Sequence, residues 1–187
     1  MGLVFYPAYG GEAAYTIFSL EFDAKEAPAP PLANADALHK TLAPGCLLIC
    51  ADDDKGPRLS YKGLAKMLGA TDHMILGSTY EEADGLVETV LKAAQDKCDC
   101  DMVCIFDQNM DNYPEGRVLG TDTIKKLRTS GFNGLLFIRS ANDDTASRLM
   151  YKNAGADSTL SKSNTTMVDL AKEVLAVYTQ FLRVRSS

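Results

Sequence analysis

Four apolar stretches of the sequence each stop on a group that can do chemistry. CLLICA runs into Asp52, Asp53 and Asp54, and MVCIF ends on Asp107. LLFI is followed by Arg139 and Ser140, and STL by Ser161 and Lys162. Charges are rarely set beside a core without a partner, a metal or a task. If the first and third strands are neighbours, Asp52, Asp53 and Asp107 crowd together and raise one another's pKa unless a cation neutralises them. Hard oxygen donors with room for water suit Mg²⁺. A magnesium ion beside a carboxylate, an ammonium and a hydroxyl is equipment for phosphoryl transfer. The carboxylate attacks, the metal and Lys162 take up charge on the transferring oxygens, and Ser140 donates a hydrogen bond.

These groups can cooperate only if the elements carrying them share an edge. From Cys46 onward CLLICA, HMILG, MVCIF, LLFIR and a weaker STLS each precede a helical pattern. The clearest helix is STYEEADGLVETVLKAAQDK, opened by a capping box of Ser78 with Glu81 or Thr79 with Glu82. Ala83, Leu86, Val87, Val90, Leu91 and Ala94 form its apolar stripe. The last helix repeats the pattern with Val168, Ala171, Val174, Leu175, Tyr178 and Leu182. QNMDNYPEG, after Asp107, reads as a loop. Strands alternating with helices imply a doubly wound α/β fold, its five-stranded parallel sheet covered on both faces. Ligands bind such sheets beyond the carboxyl ends of the strands, where the strand order reverses.

Two aspartates after strand one, one after strand three, a hydroxyl after four and a lysine after five resemble the receiver domain of two-component response regulators. LLICADDD, CIFDQNM, FIRSAND and GADSTLSK carry the likeness, which covers residues 46–182. It implies a flavodoxin-like (βα)5 fold with strand order 2-1-3-4-5. It makes Asp107 the phosphoacceptor and a Mg²⁺ ligand, with Asp53 binding the ion directly and Asp52 directly or through water. The backbone carbonyl of Asn109 supplies another ligand, Ser140 is the switch hydroxyl and Lys162 contacts the phosphoryl group. Asn109 and Asn142 stand where receivers tune access of water to the acyl phosphate. Three positions depart from the pattern: Ser163 replaces the usual proline after the lysine, Thr159 the aromatic switch residue, and Asp111 the proline after the methionine.

The chain has 187 residues, is 46% hydrophobic and carries a net charge of −6, enough for one domain plus a tail or two very small domains. The acidic balance argues against binding nucleic acid or anionic lipid. No apolar run approaches the roughly 20 residues of a membrane span, and no signal-peptide pattern is present, so a soluble, cytoplasmic chain without direct membrane contact is expected. The five cysteines, Cys46, Cys50, Cys98, Cys100 and Cys104, read as reduced and mostly buried rather than as a zinc site, which needs four well-spaced ligands.

Residues 1–23 hold two β-like segments around a Gly10–Gly11 turn, the second with Thr16, Phe18, Leu20 and Phe22 on one face. Residues 24–45 form an Ala/Pro-rich linker with a short helix near residues 36–42, and residues 46–187 form the receiver unit. GGEAAYTIFSLEF is similar to the closing strands of a histidine-kinase ATPase domain, which implies the C-terminal part of a hybrid histidine kinase. The expected partners are then a kinase domain in the same parent chain and a histidine phosphotransfer protein. Only a few residues follow the last helix, so output is expected to go to protein rather than DNA. The aromatic strand near the N-terminus offers an edge for a homodimer.

Taken singly, each group has a plainer explanation: Asp52–Asp54 as a turn or cap, Asp107 as a loop residue, Lys162 as a solvated charge, Ser140 as a cap for a helix starting near Asp143. Their joint arrival at the ends of the right strands favours a shared site. His39 and His73, the only histidines, read as a linker residue and a structural one. Two other classes compete. A haloacid-dehalogenase-type phosphatase would use Asp52 and Asp54 as D-x-D, and a pseudo-receiver would serve only as an interaction scaffold.

Overall fold

The computed structural model describes residues 41–97, 102–163 and 165–185. Strands β1 (Leu47–Ala51) and β3 (Met102–Asp107) are buried at every position, as is β6 (Leu135–Ser140). That is why their sequences read as continuous apolar runs instead of alternating ones. β2 (Asp72–Leu76) and β7 (Ser158–Ser161) lie at the edges and are more polar. The five pair in parallel in the order β2-β1-β3-β6-β7. This is the expected 2-1-3-4-5 arrangement, since β6 and β7 are the fourth and fifth strands of that sheet.

One face of the sheet packs Leu48, Cys50, Ile105 and Phe137 against helices α1 (Lys55–Met67) and α6 (Met167–Arg185). The other packs Ile49, Cys104, Phe106 and Ile138 against the helices between. These are α2 (Tyr80–Asp84), α3 (Leu86–Asp96), α4 (Gly120–Thr129) and α5 (Thr145–Asn153). Leu42, inside the stretch expected as linker, is 2% exposed and donates its N–H to Leu68 O. Residues 1–40, with the β-like segments and most of that linker, lie outside the described residues, as do Cys98 and Cys100. Cys46, Cys50 and Cys104 are buried. Among the described residues no helix is long and apolar enough to cross a membrane.

Three expectations are corrected. The helix read as continuous through residues 78–97 breaks into α2 and α3 at Gly85, whose N–H closes the first piece on Glu81 O. A Cβ there would sit 2.9 Å from that carbonyl, so the bend needs glycine. Thr79 is the N-cap, and the Glu82 carboxylate accepts from the N–H groups of Gly77 and Ser78. Val168, assigned to the apolar stripe of the last helix, is 50% exposed. The supposed loop after Asp107 is a β-hairpin, β4 (Asn109–Tyr113) with β5 (Gly116–Leu119).

At the opposite end of the sheet from Asp107, Arg128 at the end of α4 ties three segments together. Its guanidinium donates to the carbonyls of Phe132, Gly134 and Gly155, and pairs with Asp157 at 2.6 Å. Asp157 in turn accepts the Leu136 N–H at the start of β6.

Candidate functional site

Strand register gathers the acidic groups. Ala51 pairs with Phe106, so Asp52 and Asp107 leave β1 and β3 side by side at the point where the strand order reverses. Ser140 pairs with Ser161, and the Lys162 N–H extends that ladder to Ser140 O. The lysine is thereby brought back over the neighbouring strands. Its Nζ lies 2.8 Å from Asp107 Oδ1 and 3.0 Å from Asp52 Oδ2.

Asp52 and Asp107 are both buried. Oxygens of Asp52, Asp53 and Asp107 lie within 4.8 Å of one another. Asp52 Oδ1 accepts the Asp54 N–H, while the buried Oδ2 touches Lys162 without a well-directed hydrogen bond. Three carboxylates face one ammonium, so the cluster is net negative. Burial, reinforced by the Asp52 charge, pushes the Asp107 carboxyl up to about 6, against the pull of Lys162 and the Asn109 N–H. Burial works against the Lys162 charge too, but Asp107 and Asp52 outweigh it and hold the ammonium above its ordinary pKa. The all-oxygen donor set, the excess charge and the poorly satisfied Oδ2 fit a hard divalent cation such as Mg²⁺.

Ser140 is buried beside this cluster, but its hydroxyl is engaged elsewhere. Its Oγ accepts from the Asn142 N–H at 3.1 Å and from the Tyr151 O–H at 3.0 Å. Thr159, on β7, is only partly buried, and Asn109 and Asn142 are exposed. Asp54 stands apart from the cluster as N-cap of α1, accepting the Gly56 N–H.

Among solved structures, the chemotaxis protein CheY4 of Vibrio cholerae superposes with a TM-score of 0.54 at 17% identity, covering 71% of this chain and 98% of that one. A response regulator receiver domain protein from Clostridium thermocellum gives 0.53 at 15% identity, covering 75% and 97%. The receiver domain of Francisella response regulator 1452 gives 0.52 at 20% identity, covering 72% and 97%. The chain has the receiver-domain fold. No protein-family model matches the sequence, and no curated protein does either.

Within this receiver fold, several residues around the cluster escaped the sequence reading. Gln108 is 5% exposed and forms a clasp, its amide exchanging hydrogen bonds with the Thr121 hydroxyl and N–H while its carbonyl accepts the Gly120 N–H. Tyr151 on α5 is the hydroxyl partner of Ser140. A tyrosine on the buried stripe of a helix needs a partner for its O–H, and that was the available signal. Arg58 on α1 donates to the carbonyls of Asp52 and Gly77, locking the ends of β1 and β2. The Lys162–Ser163 peptide is trans.

Proposed function

We propose that this domain is a phosphoacceptor of a two-component phosphorelay, with Asp107 as the acceptor. The observation that supports this most is the Lys162 ammonium bridging Asp107 and Asp52 at the reversal point of the sheet. Asp52, Asp53, Asp107 and the carbonyl of Asn109 would hold Mg²⁺, which when bound supplies positive charge to the transferring phosphoryl oxygens. An Asp107 carboxylate oxygen attacks phosphorus as the P–N bond of a donor phosphohistidine breaks, and the departing imidazole takes a proton from solvent. Lys162 stays beside the acceptor oxygen and neutralises charge there. Ser140 turns its hydroxyl toward the phosphoryl group, and Asn109 and Asn142 limit attack by water. Hydrolysis, or transfer to a histidine phosphotransfer protein, clears the site. The donor kinase is placed in the same parent chain, as in a hybrid histidine kinase.

The test is the intact mass of the protein after incubation with acetyl phosphate and Mg²⁺. A chain that gains no phosphoryl mass would be a pseudo-receiver scaffold. The haloacid-dehalogenase alternative is disfavoured because Asp54, the second member of its D-x-D pair, is occupied in capping α1.

Lys162→Ala is expected to keep Mg²⁺ binding, since the ammonium is a competitor for the same carboxylates, while slowing labelling about a hundredfold. Equal labelling rates in variant and wild type would remove the lysine from the mechanism. The Mg²⁺ affinity itself is expected to depend on pH. A carboxyl titrating at about 6 must shed its proton to become a ligand, so affinity is flat at higher pH and falls by up to about tenfold per unit below it. Calorimetric titrations at pH 5 and 7.5 giving equal affinities would contradict this.

A further inference from the structure

The hairpin β4–β5 is anchored at its base and pinned at its tip to the acidic cluster. Met110 is fully buried and Gln108 clasps the base to Gly120 and Thr121. Between the Met110 and Tyr113 pairings the ladder is irregular. Such a bulge redirects backbone groups out of their own ladder, and here the Asn112 N–H meets Asp53 Oδ2 at 2.7 Å. Next to it the Tyr113 hydroxyl donates to Gly77 O at 2.7 Å, and its ring stands edge-on to Tyr80 at 5.9 Å. Burial, and then the Asp53 charge, push the Tyr113 phenol up to about 12, so it remains a donor at neutral pH.

A two-stranded hairpin has little stability of its own. Its position over the cluster therefore depends on these few contacts, and one of them is a side chain assigned to the metal. Without a cation, Asp53 is repelled by Asp52 and Asp107. The hydrogen bond from Asn112 takes only Oδ2 and coexists with the gathered carboxylates. From this arrangement we infer that the hairpin is a strap whose closure and Mg²⁺ binding reinforce each other through Asp53, with Asn112 and Tyr113 as positioning residues. The inference rests on the metal site of the proposed function but not on the phosphoryl transfer.

Linkage makes the coupling reciprocal. In the wild-type protein, Mg²⁺ is expected to slow amide hydrogen exchange across residues 109–119, compared with the same protein in a chelator. Tyr113→Phe keeps the ring and removes one hydrogen bond. It is expected to speed exchange in the hairpin and to weaken Mg²⁺ binding about threefold to tenfold. Bound Mg²⁺ with unchanged or faster hairpin exchange overturns the strap, and so does a Tyr113→Phe variant with wild-type affinity. The wild-type exchange measurement decides the matter even if that variant folds poorly. A protein that binds Mg²⁺ with hairpin protection yet takes no phosphoryl group keeps the strap and removes the phosphoacceptor reading. A protein that binds no Mg²⁺ removes the strap along with the metal site.

Discussion

Asp107→Asn is expected to take up no phosphoryl group from acetyl phosphate and Mg²⁺ under conditions that label the wild type. The substitution is nearly isosteric, and the amide oxygen can still accept from Lys162 Nζ, now 2.8 Å from Oδ1. What disappears is the nucleophile, since an amide oxygen forms no stable acyl phosphate. Folding is expected to survive, because the substitution removes a charge that burial and Asp52 already disfavour. A thermal melt at or above the wild-type midpoint in metal-free buffer would therefore accompany the lost label. Label retained on the variant would move the acceptor to another residue and sink the assignment.

The largest stability effect is expected from a methyl group. Gly120 opens α4 against the backbone of β3, and a Cβ there would land on the Asp107 carbonyl and 2.8 Å from Ile138 Cδ1. Backbone on one side and a packed core side chain on the other leave nowhere to move. Gly120→Ala is expected to cost about 3 kcal/mol and to displace Asp107 from Lys162. Gly63→Ala, in the middle of α1 with nothing within 4 Å, is expected to stabilise by about 0.5–1 kcal/mol. Urea denaturation of both variants checks the opposed signs. A Gly120→Ala protein as stable as the wild type would mean that α4 does not sit this tightly on the acceptor strand.

The acidic cluster was legible because each central strand is buried on both faces and ends abruptly at a polar residue. Once β1 and β3 are adjacent, register alone carries Asp52 to Asp107. The hairpin was not legible, because across residues 109–119 only Met110 is fully buried and DNYPEG has the composition of a turn. Its strands are specified by the contacts of Asn112 and Tyr113 with distant segments, which no local pattern records. Gly85 hid in the same way, since one glycine inside a strong apolar stripe does not announce a break. The Ser140–Tyr151 bond joins a strand end to a helix, and neither residue's neighbours reveal it. The kinase-like likeness of residues 1–23 falls outside the described residues.

Arg128 gives α5 an unequal pair of ends. The connection leaving the helix is riveted at Gly155 and Asp157. The end nearer the carboxylates is held by the Asp144 cap and by Tyr151 reaching Ser140 and Asn142. If Ser140 lets go of Tyr151, the near end of α5 keeps the Asp144 cap and the reach of Tyr151 to Asn142, while Arg128 still holds the far connection. The exposed Leu149 and Met150 thus ride on a helix fastened by a guanidinium at one end and by a carboxylate and a phenol at the other.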